Sequence, residues 1–329
     1  MPDRITSLDV ARRAGVSRSA VSRVFTPGAS ASAATVDKVR KAAAELGYRP
    51  NVLARSLLTG RTGMIGLVVS YLDNLFYPDL LDKLCRALKA EGYHVLMFIS
   101  DQGSDAPEDI VTELLGYQVD GLLLASVPLT SDLTDQCRMA GIPAVLLNRR
   151  QEGTGERSVV SDNVAGGAMA AKALLRRGCT RIGHIAGSPQ ASTQVDREAG
   201  LMAALAQAGV PLAAREVGDF DLDQTRMAAR AMFARPDRPD GVFVANDYMA
   251  LAVMDVLRTE LGLRVPDDVA VIGFDDAPAA AFAAYELTTI RQDADAMVAL
   301  AVRLLTDPEA SAEVLPVTLV RHRLRCHRS

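Results

Sequence analysis

The residues best equipped for chemistry fall into two groups, and neither forms a catalytic constellation. The first is "VSRSAVSRVF" (16–25), where Arg18 and Arg23 stand among Ser17, Ser19 and Ser22. Guanidinium and hydroxyl donors in one short segment suit a polyanion, which presents phosphate oxygens and base edges. The second group is scattered: Ser70 and Tyr71, Asp101 and Gln102, Ser126, Asn148 and Arg149, Ser188, Asn246 and Asp247, and Asp275 and Asp276. Each follows a short apolar run. Acids, amides and hydroxyls so placed can hydrogen-bond a small polar ligand, and paired hydroxyls suit them best. No nucleophile–base pair stands out, so an enzyme is not expected. Cys85, Cys137, Cys179 and Cys326 match no metal spacing, and no metal or cofactor is expected. His184, within "RIGHIAG", reads as a packed strand residue.

Charge separates the two groups. Residues 1–60 hold ten Lys/Arg against four Asp/Glu, whereas the whole chain of 329 residues carries a net charge of −4. A basic module on an acidic body implies that only the N-terminal part meets a polyanion. No apolar run reaches the length of about 18 residues that suggests a membrane span. The first residues lack the apolar centre of a secretory signal, so a cytoplasmic protein with no membrane partner is expected.

The elements that position the first group are short helices. Thr6 can cap a helix from about Ser7 to Ala14, with Asp9 at capping-box spacing. Gly15 permits a tight turn. Ser17 can cap a second helix from Arg18 to Phe25, and Ser32 a third that stops at Gly47. At about 100° per residue, Arg18, Ser19, Ser22 and Arg23 share one face of the second helix, and Ala20, Val21 and Val24 share the other. The apolar face can pack on Val10, Ala11 and Ala14, leaving the polar face outward. That is the layout of a helix-turn-helix, although an amphipathic pair with a solvated face has the same periodicity. Next, "YRPNVLARSLLTGR" (48–61) offers Asn51 as cap of a helix too short to be stable alone.

In the body, apolar runs at 64–70, 93–99, 120–126 and 142–148 read as strands, with helical stretches near 78–91, 106–117 and 131–140. The pattern returns at 181–187, 239–246 and 269–276. Apolar strands separated by helices predict parallel sheets covered on both faces, in two similar subdomains. Ligands of such sheets bind beyond the C-terminal strand ends, where the second group lies. No G-x-G-x-x-G follows the first strand of either half, so a dinucleotide site has no support.

The strings "TSLDVARRAGVSRSAVSRV" from Thr6 and "LGYRPNVLARSL" from Leu46 resemble the LacI/GalR family of transcriptional regulators. In the body, "VDGLLLA", "SDNVAGG", "RIGHIAGS", "DREAG", "VANDYMA", "VIGFDD" and "LTTIRQD" look like the family's recurrent blocks. The resemblance implies an N-terminal all-α helix-turn-helix DNA-binding domain (1–50), then a hinge helix and linker (51–61). An α/β periplasmic-binding-protein-like effector and dimerisation domain (62–329) follows. Its two parallel-sheet subdomains are expected at about 62–161 plus 292–329, and at about 162–291.

The resemblance also implies roles. Arg18 and Ser19 match base-reading positions, and Arg23 a further base contact; a phosphate contact by Arg18 is the alternative. Thr6, Ser17, Ser22 and Asn51 read as caps or phosphate contacts. The hinge segment carries Arg55 among its DNA-facing positions, and Leu57 as the wedge that enters the minor groove. For the effector, Arg197 resembles the arginine that grips it, Asn246 and Asp275 its polar ligands, and Phe220 the aromatic that stacks on it. Tyr71, Asp101, Ser126, Arg149 and Gln292 complete the expected site. The family's Asp-x-x-Asn-Pro-Phe is here "YLDNLF" (71–76), with Tyr71 for the acid and Leu75 for the proline. Arg149 and Arg150 add positive charge near the cleft, which could favour an acidic or phosphorylated sugar. The implied protein is a homodimeric repressor on near-palindromic double-stranded operator DNA, controlled by a sugar-like effector. The alternatives are a binding protein whose N-terminal helices serve protein interaction, and a regulator controlled by a protein partner.

Overall fold

The computed structural model describes residues 5–26, 29–49, 61–70, 72–100, 107–127, 131–150 and 157–322. Two compact units divide the chain, Met1–Thr62 and Gly63–Ser329.

The first unit holds α1 (Ser7–Ala14), α2 (Arg18–Val24) and α3 (Ala33–Leu46). The Asp9 carboxylate accepts from both the Thr6 backbone N–H (2.9 Å) and the Thr6 hydroxyl (2.6 Å), closing the start of α1. Gly15 ends α1 in the left-handed region, and Ser17 Oγ accepts from Ala20 N at the start of α2. Val10, Ala11, Val21, Val39, Ala42 and Ala43 form a small buried core, with Val24 and Phe25 packed against it. The apolar face of α2 therefore points inward, as its periodicity predicts.

The second unit contains two six-stranded sheets. The first uses β1 (Met64–Val69), β2 (His94–Ile99), β3 (Gly121–Ala125), β4 (Ala144–Leu147), β5 (Arg157–Ser161) and β11 (Val314–Leu315), in the order β11-β5-β4-β3-β1-β2, all parallel. One face is covered by α4 (Phe76–Ala90) and α11 (Ala294–Thr306), whose leucines and Met297 pack on β1, β3 and β4. The opposite face is covered by α5 (Pro107–Gly116) and α6 (Ser131–Met139).

The second sheet uses β6 (Ile182–Ala186), β7 (Leu212–Val217), β8 (Gly241–Val244), β9 (Ala270–Asp275), β10 (Thr288–Gln292) and β12 (Val317–Arg321), in the order β12-β10-β9-β8-β6-β7. Here α7 (Asn163–Arg177) and α8 (Ser192–Gln207) cover one face; α9 (Leu222–Phe233) and α10 (Asp247–Asp255) cover the other. Apolar side chains on both faces explain why the strands read as continuous hydrophobic runs.

The chain passes between the lobes three times, at Ser161–Asn163, Gln292–Ala294 and Leu315–Val317. The first two passages lie near residues 161 and 292. The third corrects the expectation that everything after 292 belongs to the first lobe. Only α11 and β11 do; β12 returns to the second sheet and pairs antiparallel with β10. That pairing covers the otherwise open edge of β10. Gln292 likewise ends β10 on the second sheet. No helix among the described residues is long and apolar enough to cross a membrane.

Candidate functional site

The helix-turn-helix face comes first. Arg18, Ser19, Ser22 and Arg23 are all exposed, on the side of α2 opposite buried Val21. Arg18 Nε donates to Ser7 Oγ at 3.2 Å, and the Ser17 and Ser19 hydroxyls are 2.9 Å apart. These bonds hold the start of α2, with Arg18 and Arg23 exposed. Ser17 is committed to its cap and Thr6 to Asp9. Asn51, Arg55 and Leu57 lie outside the described residues.

The second site is a cavity of about 530 Å³ at the C-terminal strand ends of both lobes. Ser126, Arg149, Arg197, Phe220, Asn246 and Asp275 line it, joined by Tyr77, Asn148 and Thr193. Tyr71 and Asp101 lie outside the described residues. Backbone strain marks the place: among the described non-glycine residues with positive φ, Ser126 (59°), Asn148 (57°), Phe220 (59°) and Asp275 (124°) line the cavity, and Asp219 (50°) and Asp276 (57°) adjoin two of them in sequence. Such conformations cost about 1–3 kcal/mol each and cluster at functional sites.

On the second-lobe side, Arg197 is 2% exposed and fully engaged. Its Nε donates to Asn163 Oδ1 (2.9 Å) and Nη1 to the Ala245 carbonyl (2.6 Å). Its Nη2 stands 3.6 Å from Asp275 Oδ1, and its guanidinium carbon lies 3.6 Å from the centre of the Phe274 ring. A buried charge needs such partners. Burial pushes the Asp275 carboxyl up to about 6, against the opposing pull of Arg197 and Gln292.

Glycines on two helices make this placement possible. A Cβ on Gly167 of α7 would stand 1.9 Å from the Arg197 carbonyl oxygen, and one on Gly200 of α8 would stand 1.9 Å from that of Val164. The two helices touch backbone to backbone, which brings Arg197 over β8 and β9. A second device fixes the start of α8. Buried His184 bonds the Phe243 carbonyl through Nδ1 (2.9 Å) and Gln194 through Nε2 (3.0 Å). Gln194 also accepts from Gly187 N (2.8 Å) and donates to Glu198, which pairs with Arg215. Burial pushes the His184 imidazole down to about 4, so it is neutral near pH 7. Phe220 needs a glycine too, since a Cβ on Gly187 would enter its ring.

On the first-lobe side the described charges are Arg149 and, on the exposed rim, Asp73. Tyr77 bonds Ser126 Oγ, and Asn148 Nδ2 donates to the Tyr77 hydroxyl at 2.9 Å. Burial raises the Tyr77 phenol above its ordinary range, so it stays protonated. Asn148 Oδ1 and Arg149 Nε are buried without a hydrogen-bond partner among the described residues.

Two expectations change. Gln292 does not line the cavity; it stands behind Asp275, donating Nε2 to Asp275 Oδ1 at 2.7 Å. Its reach is spent on the carboxylate, because β10 runs beside β9. Asn246 does line the cavity, but its Oδ1 accepts from Met249 N (3.0 Å) and caps α10. Neighbouring Asp247 is buried, accepting from Thr289 Oγ1 (2.6 Å) and Ala277 N (2.8 Å). Asp276 pairs with Arg291 and His322 away from the cavity. Tyr77 and Asn163 escaped the sequence reading. Tyr77 sits in the first turn of a helix whose apolar stripe absorbs it, and Asn163 stands next to Asp162, which caps the same helix. No group of His, Cys, Asp or Glu among the described residues could hold a metal ion.

A helical DNA-reading unit followed by a two-lobed ligand-binding body defines a class of transcriptional regulator, and the comparisons agree. The sequence profile of bacterial regulatory proteins of the lacI family matches residues 6–51, and that of a periplasmic binding protein-like domain matches residues 171–321. The chain is 33% identical over 290 residues to the HTH-type transcriptional repressor PurR of Vibrio atlanticus (strain LGP32), covering 87% of this chain and 86% of that one. It is 36% identical over 321 residues to the HTH-type transcriptional regulator CelR of Thermobifida fusca, covering 94% of each. The lac repressor dimer bound to operator and the anti-inducer ONPF superposes with a TM-score of 0.85 at 29% identity, over 97% of this chain and 98% of that one. The chain belongs to the LacI family of bacterial transcriptional regulators. It is a DNA-binding repressor controlled by a small-molecule effector.

Proposed function

We propose that the chain represses transcription as a homodimer on a near-palindromic operator, and that a polyhydroxylated small molecule held between the lobes sets its operator affinity. The observation that carries the effector reading is the buried Arg197–Asp275 pair, facing Tyr77, Ser126 and Asn148 across one cavity. Fixed charge on one wall and hydroxyl and amide groups on the other suit vicinal hydroxyls. Phe220 offers an aromatic face beside them. The body binds its ligand without transforming it, and the protein works in the cytoplasm, beside its DNA.

On the DNA side, Arg18, Ser19 and Arg23 read base edges, while Ser17, Ser22 and Thr6 set the helix and contact phosphates. Asn51, Arg55 and Leu57 form the hinge contacts, with Leu57 as wedge. An effector that binds two arrangements of the lobes with different affinity shifts the balance between them. Operator binding measured across a panel of sugars and sugar derivatives tests this reading. At least one compound should change the operator affinity of the parent protein, and Arg197→Ala should lose that response while still binding operator. A full response in Arg197→Ala would remove the cavity from the mechanism.

A further inference from the structure

Arg149 is the charge in the cavity that no described residue answers. The other cations have partners: Arg197 faces Asp275, and Arg226 pairs with Asp223 at 3.0 Å. Its neighbour Arg150 turns outward to Asp196 at 3.1 Å and does not line the cavity. Arg149 is half-buried, and its Nε has no partner among the described residues. The carboxylates of Asp73, Asp221 and Asp223 are on the exposed rim, where water and salt screen them. Among the described residues the floor therefore holds two guanidiniums against one carboxylate, an excess of one positive charge.

Beside Arg149 is Asn148 Oδ1, buried and unpartnered because its amide nitrogen is committed to Tyr77. A buried acceptor and a buried cationic donor, adjacent in sequence, ask for a hydroxyl donor next to an anion. We infer that the effector is a hydroxylated monocarboxylate, its carboxylate held by Arg149 and an adjacent hydroxyl donated to Asn148 Oδ1. This rests on the effector reading of the cavity and narrows it. A carboxylate matches the single excess charge, and the planar fork of a guanidinium fits its two oxygens. A phosphate ester, carrying nearly two charges near neutral pH, would leave one unmatched.

The test uses the full-length protein and matched sets: aldonates and uronates, the neutral sugars of the same carbon skeleton, and their 6-phosphates. Dissociation constants come from calorimetry, after a thermal-shift screen. The acid of at least one set should bind about ten-fold or more tightly than its neutral partner and its phosphate, the usual weight of a charge-assisted bond. Arg149→Gln should bring the acid to the affinity of the neutral sugar, whereas Arg150→Gln should preserve the preference. A neutral sugar or a phosphate that binds as well as the matching acid overturns the inference and leaves the polyol cavity standing. So does a preference that survives Arg149→Gln. If no member of any set binds, the polyol reading falls and takes this inference with it.

Discussion

The two walls of the cavity solve the same problem differently. On the second-lobe wall the buried charges answer each other: Arg197 engages Asn163, Ala245 and Asp275, and Gln292 backs Asp275. On the first-lobe wall the hydroxyl of Tyr77 ties Ser126 to Asn148, yet Asn148 Oδ1 and Arg149 Nε are left over. The second lobe also has two buried atoms without a partner among the described residues, Asp219 Oδ1 and Gln292 Oε1, but neither residue lines the cavity, so the second wall's lining is finished and the first wall's is not. Buried polar groups without partners cost about 1–3 kcal/mol each, so a ligand that satisfies them draws on that deficit. The finished wall supplies rigid geometry, and the unfinished wall supplies selectivity.

The contrast breaks most visibly at Arg197. Arg197→Leu removes the partner of a buried carboxylate and strands Asn163 Oδ1 and the Ala245 carbonyl. The expected loss is about 3–5 kcal/mol in urea unfolding. The double variant Arg197→Leu with Asp275→Asn should recover part of it, because no unpaired charge is left behind. A loss below about 1 kcal/mol would show that the second wall does not depend on its own pairing. Next in size is Gly167→Ala. Its methyl group would meet the Arg197 backbone, so α7 and α8 must separate, at a cost of about 1–3 kcal/mol. The effector response should weaken as Arg197 moves, while Gly178→Ala, past the end of α7, should leave the response intact.

The third way concerns pH. The Asp275 carboxyl lies near 6 against an ordinary 3.8, so it contributes stability that is present below 3.8 and lost as pH rises through about 6. His184 works the other way: held near 4 against 6.5, it contributes stability present above 6.5 and lost as pH falls toward 4. Between pH 4 and 6 the two oppose each other. Asp275→Asn removes the first, so its stability should rise with pH more steeply than the parent's, by about 1 kcal/mol per unit. Urea midpoints at pH 4.5, 5.0, 5.5 and 6.0 read the slope directly. Parallel slopes in the two proteins would mean that Asp275 does not titrate as a buried acid.

Much of this was legible in the sequence, and unevenly so. The polar and apolar sides of α2 followed from helical periodicity, since Arg and Ser occupy one face and Ala and Val the other. The strands were legible as apolar runs, because both faces of each sheet are covered. The second wall was legible as well: Arg197 and Asp275 were found by motif, and both line the cavity. What the sequence hid was assembly over distance. The Tyr77–Ser126–Asn148 chain joins residues from three separate elements, and none is unusual alone. The return of β12 to the second sheet was hidden too, because a short strand after a lobe crossing carries no sign of which edge it will join. Gln292 was assigned to the cavity because its position along the chain was right; its side chain turns to Asp275 instead.

The smallest expected effect is the sharpest test of the unfinished wall. Tyr77→Phe keeps the ring in the core against Phe76 and removes one oxygen. Asn148 Nδ2 and Ser126 then lose their shared partner, and stability should fall by about 1 kcal/mol. That alone would fit any buried tyrosine. The distinguishing measurement is the effector's own stabilisation of the folded protein, which tracks its affinity. If Tyr77 orients Asn148 so that its free oxygen meets the ligand, the variant should lose affinity as well as stability, because the freed amide can turn its nitrogen toward the cavity and present a donor where an acceptor is needed. Asn148→Asp offers the converse: it retains acceptors but adds a negative charge beside Arg149, so it should weaken an anionic effector more than a neutral one. A ligand affinity untouched by Tyr77→Phe would mean that the first wall is fixed by packing alone, and that its unpartnered atoms are incidental to recognition.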